Sequence, residues 1–120
     1  MAKEIRFKIE GLVPSKKNKV RHRFGGGGFY DPETRREIDW LVMQLRSKAP
    51  KETFKCEMEV HTEIHTNRRQ DGDNAHTTIL DCLQSAGIIK NDKDIIRGSW
   101  ERKTVKTIEE CKVWITICLL

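Results

Sequence analysis

Asn67-Arg68-Arg69-Gln70-Asp71-Gly72-Asp73-Asn74 sets two carboxylates at i and i+2 directly behind a pair of arginines. Lys90-Asn91-Asp92-Lys93-Asp94 supplies a second knot of acids and bases further along the chain. Carboxylates two apart on an extended segment point the same way, so Asp71 and Asp73 can reach one hard cation through oxygen ligands. A helical pattern begins at once after them, and a helix start adds positive partial charge. Arg68 and Arg69 are placed to hold a phosphate against it. The chemistry that needs such a set is phosphodiester hydrolysis, in which phosphate charge is neutralised and water is deprotonated near neutral pH, both tasks of a bound divalent cation. Asp92 is the third acid of the candidate set and Asp94 its competitor. A D-x-D pair by itself is weak evidence, because it also arises by chance in a chain with 18 acidic residues.

The 120 residues fit one domain. With 37% hydrophobic and 34% charged residues, the composition is that of a polar, water-exposed protein with a modest core. The net charge of +5 matters less than its placement. Lys16, Lys17, Lys19, Arg21 and Arg23 lie between Pro14 and Phe24 with no acid among them, a concentration that suits a polyanion. Gly25 to Gly28 follow as a hinge or loop tip, and the pattern is that of a basic flap. They lack the Gly-Lys-Ser/Thr that a P-loop needs. No dinucleotide fingerprint and no nucleophile-base pair of recognisable spacing is present, so no small-molecule cofactor is expected. The N-terminus has no signal-peptide core, and the apolar run Val113 to Leu120 is too short to span a bilayer. Cys56, Cys82, Cys111 and Cys118 lack zinc spacing and are expected as reduced, mostly buried thiols of a cytoplasmic protein.

The elements that must position these residues can be read from periodicity. Glu4 to Glu10 alternates as a half-buried strand with Ile5, Phe7 and Ile9 inward. Asp31-Pro32-Glu33 starts a helix whose stripe is Ile38, Leu41, Val42 and Leu45, ending near Pro50. Phe54 to His65 alternates over its whole length, which predicts a strand that delivers the chain to the acidic pair. His61 and His65 fall on its polar face and read as ordinary surface histidines. A helix is expected from Asp73 or Asn74 to Ala86, buried through Ile79, Cys82, Leu83 and Ala86 and stopped by Gly87. Lys90 to Asp94 is a turn, and Ile95 to Val105 and Glu110 to Leu120 are two strands, expected as a hairpin or as neighbours. The order β-α-β-α-β-β implies an α/β or α+β single domain, with a mixed sheet of about four strands and two helices packed on it.

The wider pattern is more specific than the acidic pair. Arg68-Arg69-x-Asp71-x-Asp73-Asn74, then Leu80-Asp81-x-Leu83, Ser85-Ala86-Gly87-Ile88 and Asn91-Asp92, resembles the RusA family of Holliday-junction resolvases. Pro14-Ser15-Lys16-Lys17-Asn18 and Tyr30-Asp31-Pro32 are similar to that family's opening segment. The resemblance covers nearly the whole chain, with residues 67–97 as its distinctive centre. It implies a Mg²⁺-dependent endonuclease, with Mn²⁺ as the alternative ion, that acts as a homodimer and cuts four-way DNA junctions by paired nicks. It also implies that Asp71, Asp73 and Asp92 are the catalytic, metal-holding aspartates, in a bacterial or phage setting of recombination and repair. The family pattern has a lysine four residues after the second aspartate, where this chain has Thr77. Lys90 or Lys93, or His76, is the candidate substitute for that charge. DNA contact is expected from Lys16, Lys17, Lys19, Arg21, Arg23, Arg68 and Arg69.

Two rival readings use other residues or no catalysis. A nuclease of the PD-(D/E)xK type would use Glu101 and Lys103 with Asp92 or Asp94, leaving Asp71 and Asp73 idle. A non-catalytic DNA-binding module would use the aspartates as helix caps or structural ligands, with Thr77 marking lost activity.

Overall fold

The elements follow in the order Lys3–Glu10 (β1), Val20–His22 (β2), Gly28–Tyr30 (β3), Pro32–Lys48 (α1), Met58–Thr66 (β4), Gly72–Ser85 (α2), Ile95–Thr104 (β5) and Lys112–Leu119 (β6). Short 3-10 turns occupy Asp92–Asp94 and Ile108–Glu110. This is a computed structural model, and it describes residues 3–14, 20–22, 28–30 and 32–120.

The main sheet has four strands in the order β1-β6-β4-β5. β6 runs antiparallel to both β1 and β4, whereas β5 runs parallel to β4. The expected β5–β6 hairpin or neighbour pair is therefore not formed, because β4 lies between the two. The reason can be seen in their side chains. β6 buries Val113, Ile115 and Ile117, which suits a central strand, while β5 is polar and exposed along almost all of its length, which suits an edge. A parallel β4–β5 pair also needs a crossover connection, which α2 provides.

β4 is shorter than the alternation suggests. It starts at Met58, and Phe54 instead bridges to Ile89. The Phe54 amide donates to the Ile88 carbonyl at 2.9 Å, and the Lys90 amide donates to the Phe54 carbonyl at 3.0 Å. Pairing with the loop after α2 takes Phe54 out of the sheet. A second, two-stranded antiparallel sheet joins β2 to β3, which the glycine run concealed.

The core lies between the sheet and the two helices on one of its faces. Met58, Val60 and Ile64 of β4 and Ile115 and Ile117 of β6 meet Leu41, Val42 and Leu45 of α1 and Ile79, Cys82 and Leu83 of α2. The expected α1 stripe is buried except at Ile38, which is half-buried. The expected end of α2 is also found: Ala86 is the C-cap and Gly87 follows at φ +77, a conformation that glycine adopts without steric cost. The other face of the sheet has no described helix on it and is charged. Arg6 sits 4.3 Å from the centroid of the Trp114 ring there, a cation–π contact. All four cysteines are free, with Cys82 and Cys111 buried and Cys56 exposed. No described helix is long and apolar enough to cross a membrane.

Candidate active site

β4 ends at Thr66, and the five-residue stretch after it is tied down at several points before α2 begins. The Arg68 amide donates to the Thr66 hydroxyl at 3.0 Å. The Arg68 guanidinium makes a two-pronged pair with Glu37 of α1 at 2.9 and 3.2 Å, and this carboxylate raises the arginine's pKa further. The Gln70 side-chain amide donates to the Val13 carbonyl at 3.1 Å, and the Arg102 guanidinium of β5 donates to the Gln70 backbone carbonyl. Arg68 is thus committed to fastening α1, and exposed Arg69 is the arginine of the pair left facing solvent.

Asp71 is the N-cap of α2, with extended backbone. One of its carboxylate oxygens accepts the Asp73 amide at 2.9 Å, as a capping aspartate does. Asp73 lies in the first helical turn, and both aspartates are exposed. No described residue hydrogen-bonds to the Asp73 carboxylate or to the second Asp71 oxygen. These oxygens therefore face outward at a helix N-terminus, where N–H dipoles favour anions. Two hard oxygen donors so close in sequence fit a divalent cation such as Mg²⁺ as part of its ligand set.

Gly72, between them, is required by packing rather than by dihedral angle. A Cβ there would lie 2.3 Å from the Trp100 ring of β5. Trp100 therefore sits directly on the backbone that carries both carboxylates. Sequence reasoning missed this contact, as it did Glu37, Gln70 and Arg102; the Asp-Gly-Asp string was the only local signal.

Asp92 lies elsewhere. It opens the 3-10 turn that leads into β5, capped by Asn91, whose side chain accepts the Lys93 amide at 2.9 Å. Because β5 is parallel to β4, the start of β5 is at the opposite end of the sheet from the end of β4. Asp71 lies beside Trp100, so at about 3.3 Å per residue the Ile95 end of β5, which Asp92 precedes, is roughly 17 Å away along the strand. Among the described residues, no three histidine, cysteine or carboxylate side chains come close enough to hold one ion. The fold of a single chain does not bring Asp92 back to the acidic pair, contrary to the expectation from the sequence. Asp94, Lys90 and Lys93 travel with Asp92 to that far end.

The candidates for the missing lysine charge can now be placed. The Thr77 hydroxyl donates back to the Asp73 carbonyl at 3.0 Å and so is turned onto its own helix. His76 is buried, with Nδ1 2.7 Å from the Thr62 hydroxyl and its ring against Gly98. Burial lowers its pKa, partly offset by Asp73, so the neutral form is favoured. His76 is therefore a core residue and does not supply the charge.

The five basic residues 16, 17, 19, 21 and 23 lie outside the described residues, apart from the backbone of Arg21 in β2. Residues 3–14 before them and α1 after them are described, and both are tied to the loop before α2. Val13 is buried and holds Gln70, and α1 reaches Arg68 through Glu37.

Glu101 and Lys103 are on the charged, helix-free face of β5. Glu101 lies 3.2 Å from His61, and Lys103 pairs with Glu63 at 3.0 Å. The hydrogen bond from His65, followed by that from Lys103, holds the Glu63 carboxyl down to about 2. Trp100 and Arg102, on the other face, are the β5 residues that touch the acidic pair's loop. The geometry thus separates Glu101 and Lys103 from Asp71 and from Asp92, and the PD-(D/E)xK reading finds no assembled site.

The model of the endodeoxyribonuclease RusA family matches residues 11–117. The chain is also similar to the crossover junction endodeoxyribonuclease RusA of Aquifex aeolicus (strain VF5), with 32% identity over 116 residues, which is 95% of this chain and 89% of that protein. A match across both the acidic pair and its supporting elements shows that the chain belongs to the RusA family of endodeoxyribonucleases.

Proposed function

We propose that this chain is a metal-dependent endonuclease that resolves four-way DNA junctions by paired nicks, acting as a homodimer in the cytoplasm of a bacterium or in a phage-infected cell. The observation that carries the reading is the Asp71-Gly72-Asp73 pair, held outward at the α2 N-terminus by a loop tied to Val13 and to α1, on either side of the basic segment. The named activity of the Aquifex aeolicus relative supports it.

Mg²⁺, or Mn²⁺, held by Asp71 and Asp73 would neutralise charge on the scissile phosphate and acidify the attacking water. The chain's own residues do the remainder. The α2 N–H groups and Arg69 attract the phosphate, Trp100 fixes the backbone of the pair, and the basic residues 16, 17, 19, 21 and 23 hold the flanking DNA arms. The third acid of the set, Asp92, is out of reach within one chain, so it joins the pair from a second copy. A two-fold dimer then carries two such sites, as two opposed strands of a junction require.

The test is cleavage of a labelled four-way junction in Mg²⁺, Mn²⁺ and EDTA beside a linear duplex of the same sequence. Metal-dependent, symmetric cuts in the junction alone are expected. Cutting in EDTA, or equal cutting of the duplex, would contradict the reading, and tight binding without any cut would favour a non-catalytic junction-binding module.

A further inference from the structure

α1 has a second side that the acidic site does not use. Glu37 and Gln44 turn toward the loop before α2 and the end of β1, where they bind Arg68 and the Glu10 backbone. Ile38, Val42 and Met43 instead line a groove of about 340 Å³, completed by Asp39, Arg46 and Ser85 of α2. Its floor is apolar, made by buried Val42 and half-buried Ile38. Met43 on its rim is 56% exposed. Trp40, three positions earlier and so adjacent on the helix surface, is 48% exposed. Open apolar surface beside a groove of this size marks a docking place.

The charge around this surface is positive. Asp39 is the one acid in the lining, set 3.9 Å from Arg35. No described carboxylate pairs with Arg36 or Arg46. Arg46 makes a long hydrogen bond to the Ser85 carbonyl, at 3.4 Å, and guanidinium has further donors to offer.

We propose that the α1–α2 groove docks a short acidic peptide of a partner protein. One large apolar side chain enters the groove, and carboxylates on either side of it meet Arg35, Arg36 and Arg46. Duplex DNA has phosphates for the arginines but no side chain for the groove. A second copy meeting this face about a two-fold axis sets arginines against arginines. An acidic peptide with an apolar residue satisfies both halves of the surface. Methionine is unbranched and flexible, so Met43 can close over the inserted side chain. Ser85 ends α2 and Asp71 caps its start, roughly 20 Å away along the 14-residue helix. The peptide can therefore stay bound while the acidic pair is on DNA, and it tethers the nuclease without entering the reaction.

The probes are fluorescein-labelled octapeptides of glutamate with one phenylalanine, placed at a different position in each and read by fluorescence anisotropy. Wild type is expected to bind at least one of them with a dissociation constant below about 1 mM. Changing that probe's phenylalanine to serine, or its glutamates to lysine, should weaken binding about tenfold or more. Met43→Asp and Arg46→Glu should each weaken it by the same factor. Both side chains are exposed, so far-UV circular dichroism and junction cleavage should match wild type. No probe binding below about 1 mM, or binding indifferent to both variants, would overturn the docking surface. Displacement of the probe by junction DNA would overturn it by assigning the face to DNA. A lower mass for Met43→Asp than for wild type in light scattering would overturn it by assigning the face to a second copy.

Discussion

At the scale of residues, the acidic pair has two roles that substitutions can separate. Asp71 caps α2 and also offers an outward oxygen. Asn caps as well as Asp does, so Asp71→Asn should leave the melting temperature nearly unchanged while abolishing cleavage. Asp71→Ala should lose the same activity and about 1 kcal/mol of stability besides, read by denaturant unfolding. Gly72→Ala should cost about 1–3 kcal/mol through overpacking and reduce activity by displacing both carboxylates, because the added Cβ would meet the Trp100 ring at 2.3 Å and one of the two must shift. His76 gives a pH signature. Its pKa is lower folded than unfolded, so below about 6.5 the unfolded chain binds the proton more readily and stability falls. His76→Gln should flatten that part of the stability profile, and an unchanged slope would remove His76 as its source. The sequence made Asp71 and Asp73 legible because spacing and type suffice for a carboxylate pair. It could not show that Gly72 lies under a tryptophan 28 positions away, since no local pattern encodes a tertiary contact.

At the scale of elements, the site depends on how firmly α1, β4 and β5 hold the loop before α2. The Arg68–Glu37 pair and the Gln70 contacts are the ties. Arg68→Ala and Glu37→Ala should each destabilise the chain and impair cleavage, and the double variant should lose less than the sum. A coupling of roughly 0.5–3 kcal/mol in a double-mutant cycle is expected of groups sharing one network. Strict additivity would mean that the pair does not hold the loop. Helix bounds and the Gly87 stop were readable from stripe and cap chemistry, because both are local. Strand order was not. The alternation of β6 fits a hairpin partner as well as a central strand, and only the parallel β4–α2–β5 crossover decides between them. Phe54 misled for the same reason: its place in an alternating run gave no sign that Ile88 and Lys90 would claim its backbone.

At the scale of the whole molecule, one chain holds two acids of the proposed metal site at one end of its sheet and the third at the other. Mixing inactive Asp71→Asn with inactive Asp92→Asn should therefore restore cleavage in the mixed dimers, in which one site keeps all three aspartates. No recovery after exchange of subunits would mean that Asp92 acts in some other way. Junction affinity should fall steeply with salt, with a log–log slope of roughly −0.9 for each phosphate contacted on duplex arms. Here the sequence supplied the family resemblance and the expectation of a dimer, but the separation of Asp92 from the pair emerges only from the parallel register of β4 and β5. The most direct measurement compares wild type and Asp71→Asn on one labelled four-way junction, reading affinity in EDTA and cleavage in Mg²⁺. The account predicts equal affinity and a cleavage rate reduced about a hundredfold or more in the variant, as expected when a group that stabilises the transition state is removed. Undiminished cleavage by Asp71→Asn would contradict it and place the chemistry elsewhere in the chain.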